Sequence, residues 1–548
     1  MPKSLMPKSL MPKAISETLR VCARTAHPWL MPSLVDVFLL FLLLAAFARP
    51  LAWQSLLSDG DTGWHIRTGE LILRTGAVPA RDPFSFSRAG EPWFAWEWLS
   101  DVSFALLHRW HGLEAVAAFS GAILTLSAGL LLCWLLRRGA GFGIGLPVTL
   151  ATVSASTVHY LARPHIFTLL FLTLALWVLD EDRRRPTRMV WGLIPLSALW
   201  ANLHGGFVAW IAILGLLAAV NAAARDWRGL RRYATLCGLC FGATFLNPYG
   251  WHLHQHISSY LSSSWILDNV QEFQSPSIRS ENMVVFAVLL LVGVALASRS
   301  LVRRQWFEAS MVLVWAFAAM RSARHVPLFV VIAAPVIASE CAFWWAAKSR
   351  AARPRAAARV LWELSQDFGR SRRITLWAPM FCGLAIWMTL APARLPDFPA
   401  ERFPVAAVTR NLDRLLGDGA MPGGIPRILT SDQWGDYLIF HLYPRQRVFF
   451  DGRSDFYGPT IGRDYAVLLS AGRDWRRVLD QYGFQLALLP LDWPLGAVLE
   501  GDPDWRLVYR DAVSVLLVRK GTGLKEMAKT AELCPVGESG RLVKAASR

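Results

Sequence analysis

Apolar residues in this chain gather into runs long enough to cross a bilayer as helices, for which about 17–25 residues suffice. Eleven such segments are predicted, near residues 34–56, 113–136, 143–161, 165–180, 189–203, 206–224, 233–250, 282–298, 307–321, 326–346 and 374–391. The fifth and sixth are parted only by the tight turn "NLHGG". Pro147, Pro195 and Pro335 fall inside spans, where proline kinks a membrane helix without ending it. From about residue 392 the pattern changes to short runs. "RILTS", "RVFFDGR", "FQLALLPL", "WRLVYRD" and "VSVLLVR" predict strands, with helices in "QWGDYLIFHL", "GRDYAVLLSAGRDWRRVLDQYG" and "PLGAVLEG". The expected division is an N-terminal tail at 1–33, a membrane region at 34–391 with a first outer loop at 57–112, a small α/β domain at 392–520, and a polar tail at 521–548 whose composition reads as disordered.

Composition agrees with a polytopic α-helical membrane protein. Of 548 residues, 54% are hydrophobic and only 18% charged, against about 45–50% and about 25% in soluble proteins. The net charge of +17 invites a nucleic-acid partner, but its distribution explains it otherwise. With the N-terminus inside, the inner loops are Arg137-Arg138, "DEDRRRPTR", "ARDWRGLRR", "SRSLVRRQW" and "AKSRAARPRAAARVLWELSQDFGRSRR", each rich in arginine as cytoplasmic loops are. The last reads as an anchor beside anionic lipid. An odd number of spans then puts everything after residue 391 outside, and no nucleic acid is required.

The chain begins with three near-copies of a pentapeptide, "MPKSLMPKSLMPKAI", which reads as a tandem duplication or a misassigned start. The first apolar run contains Ala46-Phe47-Ala48, similar to a signal-peptide cleavage site. Apolar character continuing through Leu51, Trp53 and Leu57 favours a retained anchor. The seven cysteines are scattered. Cys237 and Cys240 form a C-x-x-C inside an apparent membrane helix without a second ligand pair, so neither a disulfide framework nor a metal site is expected.

Ionisable residues at the ends of membrane helices are costly unless paired or solvated, and here they cluster on the outer side. "LLSDGDTGWHIRTGELILRTG" carries Asp59, Asp61, His65 and Glu70. "ARPHIFT" adds Arg163 and His165, "WANLHGGF" adds Asn202 and His204, "NPYGWHLHQH" adds His252, His254 and His256, and "MRSARHVPLF" adds Arg321, Arg324 and His325. Taken singly, the arginines read as snorkelling residues, His204 as a helix-end residue, and the alternating histidines as a tract of which only the outer two share a helical face. One shared cavity accounts for all five groups together. Within the first outer loop, residues 62–76 suit an amphipathic helix lying in the interface, with Asp61 placed to cap it. Trp93, Trp96, Trp98 and Trp110 predict an aromatic belt around a second interfacial helix, with Glu97 and Asp101 among them.

The order of these motifs resembles bacterial members of the GT-C glycosyltransferase superfamily, related to protein mannosyltransferases, aminoarabinose transferases and oligosaccharyltransferases. The motifs are D-G-D-T-G-W-H-I, G-x-P-W-x-x-x-E-W-L, A-R-P-H, N-L-H-G-G, N-P-Y-G and R-H-V-P-L-F. The resemblance implies an enzyme of the bacterial cytoplasmic membrane that moves a sugar from a polyprenyl-phosphate-type lipid to a glycan, lipid or protein acceptor on the outer face. An acidic residue at the end of the first helix is then the catalytic base. Asp59 and Asp61 match it, Asp59 being slightly favoured because Asp61 has the competing task of helix cap. His65, Asp82 and Glu97 are supporting candidates. Arg163, His165, His204, Arg321, Arg324 and His325 are placed to receive the lipid phosphate, which gains negative charge as it leaves. Asp59-Gly60-Asp61 is also a D-x-D, the spacing with which many glycosyltransferases hold a divalent cation, and it leaves metal dependence open.

In the C-terminal region, Trp434, Asp436, Asp451 and Arg453 mix rings, carboxylates and a guanidinium in the manner of a sugar site. A buried salt-bridge network at a strand end explains the same residues. The alternative function is a non-catalytic binder or scaffold for lipid-linked glycan. A transporter is disfavoured because the ionisable residues sit at the outer mouth, not at the midplane, and no internal repeat is visible.

Overall fold

The computed structural model describes residues 30–47, 52–370, 372–390, 397–412, 416 and 425–521. The N-terminal repeat, Cys22, Ala48, Leu51, the junction at 391–396 and the polar tail from 522, with Cys534, lie outside the described residues. The membrane region is built of α1 (Leu34–Phe47), α2 (Asp61–Thr75), α3 (Trp98–Arg137), α4 (Phe142–Ser156), α5 (His165–Arg184), α6 (Leu193–Leu203), α7 (Phe207–Ala223), α8 (Trp227–Ala243), α9 (Trp251–Ser262), α10 (Ser264–Asn269), α11 (Glu281–Val302), α12 (Trp306–Arg321), α13 (Val326–Ala351), α14 (Ala357–Gly369) and α15 (Trp377–Leu390). Each of the eleven apolar segments holds a helix. Among the described residues, four stretches are long and apolar enough to cross a membrane, Trp98–Arg137, Phe142–His159, Met283–Val302 and Ala323–Ala351. The chain is a multi-pass membrane protein. In α3 the helical path breaks at His111 and Gly112, the latter at φ 64°. A left-handed residue is cheapest as glycine, and the break separates the polar "WLSDVSFALLHRW" from the apolar run that follows.

The C-terminal region carries α16 (Asp432–Leu442), α17 (Ser454–Leu469), α18 (Trp475–Tyr482) and α19 (Pro494–Glu500), with β1 (Ile428–Leu429), β2 (Leu486–Pro490), β3 (Trp505–Arg510) and β4 (Ser514–Arg519). The strands form one sheet in the order β1-β2-β4-β3, with β1 parallel to β2 and the other pairs antiparallel. "RVFFDGR" is not a strand. Val448 makes only isolated bridges to Ser85 and Ile428, because Asp451 and Arg453 turn into a buried ion network and α17 begins at Ser454.

Helix α2 departs from expectation in a way that shapes the site. It is not an interfacial helix with one wet face, since Thr62, Trp64, His65, Ile66, Thr68 and Ile72 are all buried. One side packs on α3 and the other is covered by α16. The close approach runs over glycine: a Cβ at Gly60 would strike the Gln433 carbonyl oxygen, and one at Gly63 the Asp436 carbonyl oxygen. Gly60 N–H donates to Gln433 Oε1 at 2.7 Å, and Arg67 Nε donates to the Phe440 carbonyl at 2.6 Å. Nor does Asp61 cap the helix. Asp59 Oδ1 accepts the Asp61 N–H at 2.9 Å, which leaves the Asp61 carboxyl free to turn inward. The aromatic belt is likewise dispersed. Trp93 is buried, Trp96 is half-buried, and Trp110 stands 62% exposed.

Arg453 bolts the first loop to the C-terminal region. Its Nη1 meets Asp82 Oδ1 at 2.7 Å and its Nη2 meets Asp451 Oδ2 at 2.6 Å. Its guanidinium lies 4.7 Å from the ring centre of Trp93, and Tyr457 OH donates to Asp451 at 2.6 Å. All three charged side chains are essentially inaccessible, so removing the cation leaves two buried carboxylates unpaired. Arg453→Ala is therefore expected to destabilise the protein by about 3–5 kcal/mol. Thermal unfolding of the detergent-solubilised variant checks this, and an unchanged midpoint would contradict the bolt.

Candidate active site

The cavity that these contacts frame measures ≈ 360 Å³ and is lined by residues from α2, α5, α7, α9, α12, α13 and α17 and from the loops between them, among them the turn before α3. Of the residues singled out in the sequence, Asp61, His65, Glu97, Arg163, His165, His204, Arg324, His325 and Arg453 line it. Asp59 stands behind Asp61. Asp82, Trp434 and Asp451 are buried outside the cavity wall: Asp82 and Asp451 hold Arg453, and Trp434 Nε1 donates to the Arg402 carbonyl at 2.9 Å. Arg321 is exposed at the end of α12, away from the others. The three alternating histidines part company. His252 bonds Gln255, His254 bonds Thr244, and only His256 turns to the site, where its Nε2 meets Asp455 Oδ2 at 2.9 Å.

Arg163 is the centre of charge. It is carried by the short turn before α5, whose start at Pro164-His165 aims the guanidinium at the first loop. Its Nη1 meets Asp59 Oδ2 at 2.9 Å and Glu272 Oε1 at 2.6 Å, and its Nη2 meets Asp61 Oδ2 at 2.6 Å. Burial opposes its charge, but the three carboxylates more than offset this and hold it protonated. Glu272 extends the chain to Arg324 Nε at 3.0 Å, and Arg324 Nη1 donates to Tyr260 OH at 2.8 Å. Burial would raise the Glu272 carboxyl, yet the two guanidinium groups bring it well below the usual range. The D-x-D carboxylates are thus arranged around a guanidinium, which supplies the positive charge that a divalent cation would bring. Among the described residues, no group of three His, Cys, Asp or Glu side chains is placed to hold a metal ion.

Asp61 differs from Asp59. Burial, opposed by Arg163 and reinforced by the charge on Asp59, pushes its carboxyl up to about 7. Its Oδ1 receives no hydrogen bond from an N–H or hydroxyl group. It meets instead the carboxyl of Asp436, which α16 brings in beside Gly452. Burial, together with the charges of Asp61 and Asp451, pushes Asp436 well above the carboxylate range, and the two acids share a proton. Gly452 N–H donates to Asp436 Oδ1 at 3.0 Å and helps to hold it there.

A second chain of groups runs along the other wall. His65 Nδ1 meets Asp101 Oδ1 at 2.6 Å, and its Nε2 lies 3.7 Å from Glu97, which in turn lies 3.5 Å from His204 Nε2. Gly206 N–H donates to His204 Nδ1 at 2.9 Å, so that nitrogen is an acceptor and the neutral ring carries its proton on Nε2, facing Glu97. Burial and the nearby arginines push His204 down to about 3 and hold His65 well below its ordinary value. Burial, partly countered by Arg163 and Arg324, pushes Glu97 up to about 8. The histidines therefore act as neutral hydrogen-bond donors, and Glu97 holds a proton at pH 7. Asp101, Glu272 and Asp436 in its proton-sharing place are what sequence reasoning missed. Asp101 follows Glu97 by four residues, one helical turn, which was a usable signal. Glu272 in "NVQEFQS" had none.

A difference infrared spectrum between about pH 6 and about pH 9.5 is expected to show a carboxylic-acid band that titrates near 8 and is absent in Glu97→Gln. A spectrum unchanged by that substitution would remove Glu97 as the proton holder.

No protein-family profile matches the sequence, and no curated protein matches it significantly. Among solved structures, the archaeal oligosaccharyltransferase AglB from Archaeoglobus fulgidus, in complex with an inhibitory peptide and a dolichol-phosphate, aligns with a TM-score of 0.51 and 11% identity over 83% of this chain and 69% of that one. ArnT from Cupriavidus metallidurans, bound to undecaprenyl phosphate, aligns with a TM-score of 0.45 and 15% identity over 89% of this chain and 98% of that one. Most of this chain thus follows the path of AglB and shares its fold.

Proposed function

We propose that the protein is a GT-C type glycosyltransferase that moves a sugar from a polyprenyl-phosphate-type lipid to an acceptor on the outer face of a bacterial cytoplasmic membrane. In this reading the chain crosses the bilayer eleven times, with its N-terminus inside and residues 392–520 outside. The single observation that carries the chemistry is Asp61, a buried carboxyl on the cavity wall with one oxygen on Arg163 and the other facing the carboxyl of Asp436. The fold of AglB, whose solved structure contains a dolichol-phosphate, supports a lipid-phosphate donor.

The step balances as an inverting displacement. An acceptor hydroxyl or amine attacks the anomeric carbon, the bond from that carbon to the phosphate oxygen breaks, and the polyprenyl phosphate leaves with the electron pair. Asp61 takes the acceptor proton. Its elevated value suits this task, since a base works best when its pKa lies near the working pH. Asp59 holds the helix start and one edge of Arg163, which makes it a positioning residue. The leaving phosphate needs donors: Arg324 supplies charge and the neutral ring of His204 supplies the N–H on its Nε2, whereas the one N–H of a neutral His165 goes to the His159 carbonyl. His325 Nδ1 is buried and lacks a hydrogen-bond partner among the described residues. His65 and Glu97 face the acceptor side.

Mass spectrometry of copurified lipid is expected to find a polyprenyl-phosphate sugar, and a transfer assay with that lipid tests the chemistry. Asp61→Asn is expected to lower turnover by about a hundredfold or more, and Asp59→Asn by less. Full activity in Asp61→Asn would sink the assignment of the base, whereas lipid binding without turnover in the native protein would make it a carrier. Because Asp61 must be ionised to act, turnover should rise with pH through about 7. In Asp436→Asn the amide would accept from Gly452 and donate to Asp61 Oδ1. That substitution should keep activity and move the acid limb to lower pH, while Asp436→Ala should lose activity.

A further inference from the structure

Helix α14 has three distinct faces. Trp362, Ser365 and Gly369 hold it to the rest of the protein. Gly143 N–H donates to Ser365 Oγ at 2.9 Å, Trp345 Nε1 donates to the Ala358 carbonyl at 3.0 Å, and the Trp345 and Trp362 rings lie 5.7 Å apart. A second face is polar, with Arg359 paired to Glu363 at 2.9 Å and Asp367 paired to Arg370 at 3.3 Å. The third is apolar and uncovered. Ala357, Val360, Leu361, Leu364 and Phe368 recur at the spacing of one helical stripe, and the last four are 42%, 54%, 45% and 52% exposed.

The surroundings identify what lies against that stripe. Residues 348–373 contain eight lysines and arginines and only two acids. Arg350, Arg353, Arg355, Arg370, Arg372 and Arg373 all stand exposed on either side of α14. The contacts to Gly143 and Trp345 place α14 across the helix ends that carry Arg137, Arg138 and Lys348. At the same end Trp344 is 59% exposed, with the Lys348 ammonium 4.0 Å over its ring. An exposed tryptophan with a lysine reaching past it marks the boundary between hydrocarbon and headgroups. An exposed apolar stripe at that depth, ringed by arginine, fits a lipid surface of negative charge.

We propose that α14 lies in the plane of the membrane with Val360, Leu361, Leu364 and Phe368 in the acyl boundary, and that the flanking arginines bind anionic phospholipid headgroups. The helix is a docking site for anionic lipid, independent of the outer cavity and of any transfer activity.

The test uses the full chain, its seven cysteines replaced by alanine, with Leu364→Cys carrying a polarity-sensitive fluorophore. It is reconstituted in nanodiscs of phosphatidylcholine alone or mixed with phosphatidylglycerol. Blue-shifted emission and markedly weaker quenching by iodide are expected in the anionic discs. Glu363→Cys on the polar face should stay open to iodide in both and serves as the folding control. Replacing Arg353 and Arg355 by glutamine should weaken the preference for anionic discs by about fivefold per arginine. Iodide access at position 364 equal to that at 363, or protection indifferent to lipid charge, would overturn the proposal. So would protection that appears only in discs holding two copies of the chain, which would put a second copy on the stripe.

Discussion

A guanidinium taken out of water must be met by negative charge, and Arg163 draws its partners from separate stretches of chain: Asp59 and Asp61 from the first loop, and Glu272 from the segment after α10. Leaving such a cation unpaired costs several kcal/mol, so the fold around it has little freedom. The pairing fixes where α2 starts, and it fixes the path of residues 271–273 and, through Glu272, the orientation of Arg324. It also sets the character of the neighbouring groups. Burial first, and then the guanidinium groups close by, keep the imidazoles of His65 and His204 neutral.

The helices could be read from hydropathy because each apolar run is local and its burial needs no partner to be inferred. The same is true of β2, β3 and β4. What the sequence concealed depends on distant packing. Residues 62–76 have the alternation of an interfacial helix, and only the arrival of α16 over Gly60 and Gly63 turns that helix into a buried one. The choice between Asp59 and Asp61 changes for the same reason. From spacing alone Asp61 is the natural cap, but Asp59 performs that task through the Asp61 N–H. The clustering of Arg163, His165, His204, Arg324 and His325 was legible because helix ends on one side of a membrane must lie near one another. Arg321, three residues from Arg324, shared the motif and not the place.

The C-terminal residues show how a surface motif and a buried network look alike in one dimension. Trp434, Asp436, Asp451 and Arg453 have the composition of a sugar site. Trp434 and Asp451 serve packing, Arg453 serves both packing and the cavity wall, and Asp436 reaches the proposed base. Carboxylates and aromatic rings satisfy a buried arginine as readily as they satisfy a carbohydrate, so composition alone does not separate the two.

The contact between Gly60 and Gln433 joins residues 373 positions apart, and this has a temporal meaning. A ribosome delivers α2 long before it delivers α16. During that interval the carboxyl of Asp61 lacks Asp436 and Gly452, and the first loop lacks Arg453. The site is therefore completed only when residues 432–453 arrive and dock, so a nascent chain that has not reached them holds an open and unfinished pocket.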